Sequence, residues 1–138
     1  MDQIEIFAPA SVANVSCGFD VLGFCLEPIG DIMRVTKTKT PGVTIGSVTG
    51  QKLPTDPLKN VASVAVLSLL KSFKSSYGFR IDIDKKIKPG SGIGSSAASA
   101  AGAVFAVNYL LGVPFSRKEL IQFAMAGEAL ASGAKHAD

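Results

Sequence analysis

The chain has 138 residues, of which 47% are hydrophobic and 18% charged, so it can form one domain with a substantial core rather than a disordered segment. No apolar run reaches the ~18 residues that cross a bilayer, and the acidic start Met-Asp-Gln-Ile-Glu does not resemble a signal peptide. A net charge of +3 permits an anionic ligand without selecting one. We therefore expect a cytoplasmic protein that has no membrane partner.

The first 60 residues predict mainly β structure. Short segments rich in β-forming residues alternate with stretches that are polar or contain glycine and proline. We expect strands at residues 4–9, 21–26, 31–39 and 43–48, a polar loop at 11–20 and a turn-rich connection at 49–59. Cys17 and Cys25 do not form a C-x-x-C motif, so we expect two buried or partly buried thiols.

The second half of the chain predicts one strand and three helices. Asn60 is a favourable N-cap for the first helix, and Ser116-Arg-Lys-Glu119 is a capping box that begins the last one. The strand alternates apolar and charged residues, which indicates one buried face and an antiparallel or edge position. We expect the strand at 79–87 and helices at 61–73, 96–111 and 116–131. The predicted fold class is α+β, a mostly antiparallel sheet with helices on one face.

The most informative stretch reads Lys88-Pro-Gly-Ser-Gly-Ile-Gly-Ser-Ser-Ala-Ala98, and we call its residues 88–94 the glycine loop. Glycines let a backbone approach an anion closely, and the start of the helix that follows offers unpaired N–H groups at the positive end of its dipole. The pattern is neither a Walker A loop nor a G-x-G-x-x-G fingerprint. The loop therefore predicts a phosphate site, with a flexible turn between strand and helix as the alternative.

Three motifs follow one another along the chain. The first is Ala8-Pro-Ala-Ser-Val-Ala-Asn-Val-Ser-Cys-Gly-Phe-Asp-Val-Leu-Gly23, the second is Pro89-Gly-Ser-Gly-Ile-Gly-Ser-Ser-Ala-Ala-Ser99, and the third is Gly127-Glu-Ala-Leu-Ala-Ser-Gly-Ala-Lys-His-Ala-Asp138. In this order they resemble the GHMP kinases, and homoserine kinases in particular. In the first segment many homoserine kinases read Gly-Pro-Gly-Phe-Asp where this chain has Ser16-Cys17-Gly18-Phe19-Asp20. The resemblance implies a ribosomal protein S5 domain 2-like fold, as in GHMP kinase N-terminal domains.

The resemblance also implies which residues bind each reactant. Backbone N–H groups from Gly92 to Ser96 would hold the β- and γ-phosphates of ATP, while the Ser96 hydroxyl and the Glu128 carboxylate would bind Mg²⁺. No general base is implied. The implied nucleotide-binding residues are Pro89, Gly90, Ser91, Gly92, Ile93, Gly94, Ser95, Ser96 and Asn60. The implied homoserine-binding residues are Asn14, Asp20, His136 and Asp138.

Each of these residues also has a purely structural interpretation. Ser95, Ser96 and Asn60 are ordinary helix caps, and Asn14 and Asp20 are ordinary turn residues. Glu128 lies among core-like neighbours, so it either faces solvent or has a cation beside it. A lone histidine such as His136 is usually a structural or surface residue.

The implied activity is ATP-dependent phosphorylation of the L-homoserine hydroxyl to O-phospho-L-homoserine, a step toward threonine. Residues 1–138 would be the ATP-binding N-terminal domain. The second domain would be absent, leaving this chain inactive alone, and the full-length enzyme could be a homodimer. One alternative is another GHMP small-molecule kinase of the mevalonate-pathway type, and a second is a non-catalytic nucleotide- or RNA-binding module. Scattered lysines and arginines without a stacking platform argue against nucleic acid as a partner.

Overall fold

The computed structural model describes residues 1–15 and 18–132, with side chains for 1–13 and 23–131. Its elements are β1 (Gln3–Val15), β2 (Gly18–Thr38), β3 (Gly42–Thr49), α1 (Val61–Ser72), β4 (Gly78–Asp84), α2 (Ser95–Leu110) and α3 (Arg117–Ser132). The strands form one sheet in the order β1-β2-β4-β3. The β1–β2 and β2–β4 pairs are antiparallel, whereas β3 and β4 are parallel. The predicted α+β class and mostly antiparallel sheet are confirmed.

The helices pack together and cover one face of the sheet, with α2 against β1 and β2 and α1 against β3. The core between them combines aliphatic strand residues such as Met33 and Ile81 with the small residues of α2. Gly102 lets α2 approach the sheet, because a Cβ there would lie 2.7 Å from Met33 Sδ. The alanine-rich sequence of α2 therefore serves close packing on two sides.

Strand β4 follows the predicted alternation. Phe79, Ile81, Ile83 and, beyond the strand, Ile87 are buried, whereas Arg80 is exposed. The strand ends at Asp84 rather than at residue 87, and it lies inside the sheet between β2 and β3. Of the two predicted alternatives, the antiparallel strand is confirmed by the pairing with β2, and the edge strand is not observed because β3 pairs with the other side.

The polar loop predicted at 11–20 is wrong for the described residues. Strand β1 continues to Val15 and β2 begins at Gly18, so the two form a long hairpin that also merges the strands predicted at 21–26 and 31–39. The register shifts between Pro9 and Ser11 and again between Val12 and Asn14. Pairing between the strands satisfies backbone groups of a segment whose polar composition had suggested a loop. Cys17 lies outside the described residues, and Cys25 is exposed rather than buried.

Both predicted helix caps are confirmed. The Asn60 side chain accepts a hydrogen bond from Ala62 N at 2.9 Å. Ser116 N donates to Glu119 Oε1 at 3.0 Å while Glu119 N donates to Ser116 Oγ at 3.2 Å, which is the reciprocal geometry of a capping box. Within the described part of the chain, none of the helices combines the length and apolar character needed to cross a membrane.

Candidate functional site

The glycine loop joins the end of β4 to the start of α2 in a left-handed backbone conformation. Gly90, Gly92 and Gly94 have φ angles of 79°, 83° and 76°, values that residues with a Cβ rarely adopt. A Cβ at Gly90 or Gly92 would point into open space, whereas one at Gly94 would collide with Ser11 Oγ. The glycines are therefore needed for backbone shape at the rim of the loop and for close packing at its base.

Hydrogen bonds hold the two ends of the loop. Ser11 N of β1 donates to Ile93 O at 2.9 Å, which attaches the loop to the first hairpin. Ser95 Oγ donates to Ile87 O at 3.0 Å, so its hydroxyl faces inward. Because the hydroxyl is engaged, Ser95 can offer a ligand only its backbone N–H group.

Helix α2 begins at an N-cap, Gly94, that has no side chain with which to cap the first turn. The first N–H groups of an α-helix have no acceptor within the helix, and the dipole makes this end attractive to an anion. Ser96, in this first turn, is only partly buried. The end of the helix thus presents backbone donors and one hydroxyl where the glycine loop exposes its own backbone.

A cavity of about 470 Å³ lies over this end of α2. Its volume is in the range of small-molecule sites. Among the residues that line it are Asn60, Pro89, Gly90, Gly92, Gly94, Ser95 and Ser96. The structure therefore brings together seven of the nine predicted nucleotide-binding residues. The other two, Ser91 and Ile93, do not line the cavity. Ser91 is exposed, and Ile93 is partly buried and packs against the core.

The Asn60 side chain is already engaged where it lines the cavity. Besides accepting from Ala62 N, it donates through Nδ2 to Pro54 O at 2.8 Å, and the residue is buried. Asn60 therefore contributes a fixed wall between α1 and the connection before it. The helix-capping role, which was the structural interpretation of Asn60, is observed.

A buried lysine lies directly under the first turn of α2. Lys85 Nζ donates to Asp31 Oδ2 at 2.6 Å, to Ser95 O at 2.6 Å and to Ser99 Oγ at 3.0 Å. Burial lowers the pKa of Lys85, and the carboxylates of Asp31 and Glu128 partly offset that effect. Lys85 itself lines the cavity, and the effect of Glu128 on its pKa shows that this group of charges extends to α3.

Glu128 is 5% exposed, so the solvent-facing alternative is excluded. Gly127 places it there, because a Cβ on that residue would lie 2.7 Å from Val61 O and 3.2 Å from Ala100 Cβ. This close packing brings α3 against both α1 and α2. Glu128 lines a second cavity of about 580 Å³, together with Ala97 and Ala98 of the first turn of α2. The residue therefore lies beside the start of α2.

The side chains of Glu128 and Ser96 have the chemistry for Mg²⁺, because a carboxylate and a hydroxyl are the hard oxygen ligands that this ion prefers. Among the described residues, no group of three or more histidine, cysteine, aspartate or glutamate side chains could hold a metal ion. A metal at Ser96 and Glu128 would therefore require further oxygens, such as those of a polyphosphate.

The structure gives less information on the predicted homoserine-binding residues. Asn14 lies opposite Phe19 in the β1–β2 hairpin, and Asp20 follows Phe19 in the sequence. The backbone therefore places Asn14 and Asp20 on neighbouring strands. The hairpin reaches the glycine loop through Ser11, three residues before Asn14. His136 and Asp138 lie outside the described residues.

Sequence reasoning missed Lys85 and Asp31. The alternation that buries Phe79, Ile81 and Ile83 also assigns Lys85 to the buried face, and this was the available signal. A charged residue at a core position requires a partner. Nothing comparable in the sequence identifies Asp31 as that partner, because the pairing depends on the register between β2 and β4.

Comparison with known families now identifies the class of protein. Residues 60–138, more than half of the chain, match the family of GHMP kinases N terminal domain. This match includes α1, the glycine loop, α2 and α3, and its residues form most of the lining of the cavity. The chain belongs to the GHMP kinase family.

Two of the curated relatives are homoserine kinases. A homoserine kinase from Xylella fastidiosa is 44% identical over 99% of this chain and 43% of its own length. One from Chloroherpeton thalassium is 47% identical over 100% of this chain and 47% of its own. The chain thus spans less than half the length of these curated relatives.

Solved structures agree with the fold. The crystal structure of homoserine kinase from Cytophaga hutchinsonii matches with a TM-score of 0.93 and 47% identity, over 99% of this chain and 44% of that one. A mevalonate kinase from Methanococcus jannaschii matches with a TM-score of 0.71 and 16% identity, over 96% and 48%. The second likeness concerns the fold alone.

Proposed function

We propose that this chain is the ATP-binding half of a homoserine kinase. The full-length protein would transfer the γ-phosphoryl group of ATP to the hydroxyl of L-homoserine, giving O-phospho-L-homoserine and ADP. The observation that carries the proposal is the glycine loop, which opens onto a cavity at a helix start whose N-cap is glycine. The homoserine kinases that align with nearly the whole chain supply the choice of acceptor.

The nucleotide phosphates would bind at the start of α2. Backbone N–H groups from Gly92 to Ser96 can donate to the β- and γ-phosphates, and the helix dipole favours their negative charge. The Ser95 hydroxyl donates to Ile87 O, so the site would use the main chain at that residue. The wall formed by Asn60 would limit the cavity on the side of α1.

Mg²⁺ would be held by the Ser96 hydroxyl, the Glu128 carboxylate and phosphate oxygens. Bound there, the ion would neutralise charge on the transferred group. The role of Glu128 is to provide a negative charge from α3 at the start of α2, and the role of Ser96 is to offer an oxygen from the first turn. The buried position of Glu128 supports this assignment.

Homoserine would bind near the β1–β2 hairpin. The Asp20 carboxylate suits its ammonium group and the Asn14 amide suits its hydroxyl. The attachment of the hairpin to the glycine loop at Ser11 supports a short path between acceptor and phosphate. His136 and Asp138 would complete the pocket, and the rest of the protein would supply a second lobe. Catalysis would then rest on alignment and charge stabilisation, with no general base assigned.

The proposal is tested with the full-length protein and three reactions, containing homoserine, mevalonate or no acceptor. We expect ADP formation with homoserine alone, because a site built for hydrogen bonds rejects an analogue that lacks the matching groups. Asp20→Ala should raise the KM for homoserine steeply and leave that for ATP nearly unchanged. Turnover of mevalonate would instead indicate a mevalonate-type GHMP kinase, and no ATP binding at all would overturn the proposal.

A further inference from the structure

The two most deeply buried opposite charges of the described chain form one ion pair below the glycine loop. Lys85 is 1% exposed, Asp31 is 0% exposed, and Nζ and Oδ2 are 2.6 Å apart. Lys85 lies just after β4, whereas Asp31 belongs to β2. The further contacts of these two side chains connect the sheet with α2 and with the segment that enters the glycine loop.

Lys85 connects the pair to α2. Its ammonium group has three protons, and the three acceptors are Asp31 Oδ2, Ser95 O and Ser99 Oγ. Ser95 is the first residue of α2, and Ser99 lies one turn later. The lysine therefore fixes the first turn of the helix from below, and its three protons are already engaged.

Asp31 connects the pair to the segment that enters the glycine loop. Its Oδ1 atom accepts from Lys86 N at 2.7 Å and from Ile87 N at 2.9 Å. These are the residues immediately before the loop. One carboxylate therefore fixes the chain that leads into the loop, and through Lys85 it also fixes the helix that follows.

The rim of the loop has little packing of its own, because Gly90 and Gly92 face open space. Its shape therefore depends on how its two ends are held. A buried ion pair need not stabilise a fold, since its desolvation cost can equal or exceed the attraction. Holding backbone N–H groups in position before a ligand arrives is a use that would justify this cost.

We propose that Lys85 and Asp31 act as one positioning unit that sets the glycine loop and the first turn of α2 for nucleotide phosphates. Lys85 acts through Ser95 and Ser99, and Asp31 acts through the backbone of Lys86 and Ile87. Neither side chain is itself a phosphate ligand in this arrangement. The inference rests on the proposed nucleotide site and adds the residues that shape it.

The test uses the full-length protein with Lys85→Met, Asp31→Asn and the double variant. Calorimetry gives the dissociation constant for Mg-ATP, and denaturant unfolding shows that each variant is folded under the binding conditions. Each single variant should weaken ATP binding about tenfold or more. The double variant should be no weaker than the worse single one, because both residues act through the same unit. The KM for homoserine at saturating ATP should change less than twofold.

Arg34→Met is the matched control. Arg34 lies on β2 as Asp31 does and pairs with Glu5 at 2.7 Å, but both side chains of this pair are about half exposed. We expect this variant to bind ATP with unchanged affinity, because an exposed pair remote from the loop does not shape it. A comparable loss in this control would show that any ion pair of the sheet matters equally, which contradicts the proposal.

A second readout follows the loop without nucleotide. Amide hydrogen exchange at residues 90–96 should become faster in Lys85→Met and in Asp31→Asn, while exchange in the middle of α1 stays unchanged. Hydrogen exchange tests the positioning role separately from the proposed function, because the measurement is made without nucleotide and does not depend on ATP being the ligand. Unchanged exchange at the loop in both folded variants would overturn the positioning role.

Two further outcomes would also overturn the proposal. If Lys85→Met alone weakens ATP binding and Asp31→Asn does not, Lys85 contacts the nucleotide directly. If a single variant fails to fold, the double variant decides, because it leaves no unpaired buried charge. An ATP affinity of the folded double variant within twofold of the unchanged protein would contradict the positioning role, and a loss of tenfold or more would support it.

Discussion

The two ends of α2 differ in how their backbone hydrogen-bonding groups are satisfied. At the C-terminal end, the Asn108 side chain donates to Phe115 O and accepts from Phe115 N, so the backbone that leaves the helix is satisfied inside the protein. At the N-terminal end the cap is Gly94, which has no side chain, and a Cβ at Gly90 or Gly92 of the adjoining loop would meet open space. One end completes its own hydrogen bonds, and the other leaves donors for a ligand.

The difference indicates where function can be found in a helix of nearly uniform composition. Both ends contain glycines with positive φ, 76° at Gly94 and 86° at Gly112, and both adjoin loops. Only the N-terminal end combines them with a cavity, a buried charge cluster and the carboxylate of Glu128. Substitutions at the N-terminal end should therefore change binding and turnover, whereas those at the C-terminal end should change stability.

The largest effect is expected at Glu128. In the full-length protein, Glu128→Gln removes the charge proposed for Mg²⁺ and should lower kcat roughly 100-fold or more, since metal neutralisation of the transferred group contributes several kcal/mol. A steady-state assay over a Mg²⁺ titration checks this. Glu119→Gln is the control, because Glu119 is the exposed acid of the same helix and should leave kcat unchanged. Full activity of Glu128→Gln at every Mg²⁺ concentration would assign Glu128 a structural role only.

A smaller effect, on stability, is expected at the other end of the helix. Asn108→Ala leaves the backbone of Phe115 without both of its partners, at a cost of about 1–3 kcal/mol. Phe115 also packs edge-to-face on Phe73 and Phe123, so the loss extends to that cluster. Urea unfolding measures the cost. ATP affinity should stay within twofold, and a tenfold loss would show that the two ends are not separable.

The smallest effect is expected at Val113, which has a φ of 61° although it is β-branched. Asparagine tolerates this left-handed conformation better, so Val113→Asn should raise the free energy of unfolding by about 0.5–1 kcal/mol. Val113 is 58% exposed, so little packing is lost in the exchange. Destabilisation in the same urea experiment would mean that its side chain contributes more than its backbone strain costs.

The sequence predicted the regular parts of the fold because their signals are local. The caps at Asn60 and Ser116, the alternation along β4 and the helix after the glycine loop all depend on neighbouring residues. The long hairpin was missed because its polar residues become strand only by pairing across the register shifts at Pro9 and Val12. Local composition contains no information on such pairing.

The candidate site divides in the same way. The glycine loop and Ser96 were predicted from a contiguous motif, and the structure places them around one cavity. The charge cluster beneath them was not predicted, because Asp31 and Lys85 are far apart in sequence and meet only through the pairing of β2 with β4. The burial of Glu128 depends likewise on the close contact of α3 at Gly127. Residues that support a site from below are the ones that sequence alone leaves out.

A matched pair of glycines tests whether the glycine loop binds ATP. Gly92 and Gly112 have φ angles of 83° and 86°, and a Cβ at either position would meet open space. Valine therefore introduces the same kind of backbone strain at both positions. Calorimetry of Mg-ATP binding to the full-length protein should show a loss of at least about tenfold for Gly92→Val and a change of less than twofold for Gly112→Val. Equal affinities in the two variants would contradict ATP binding by the glycine loop.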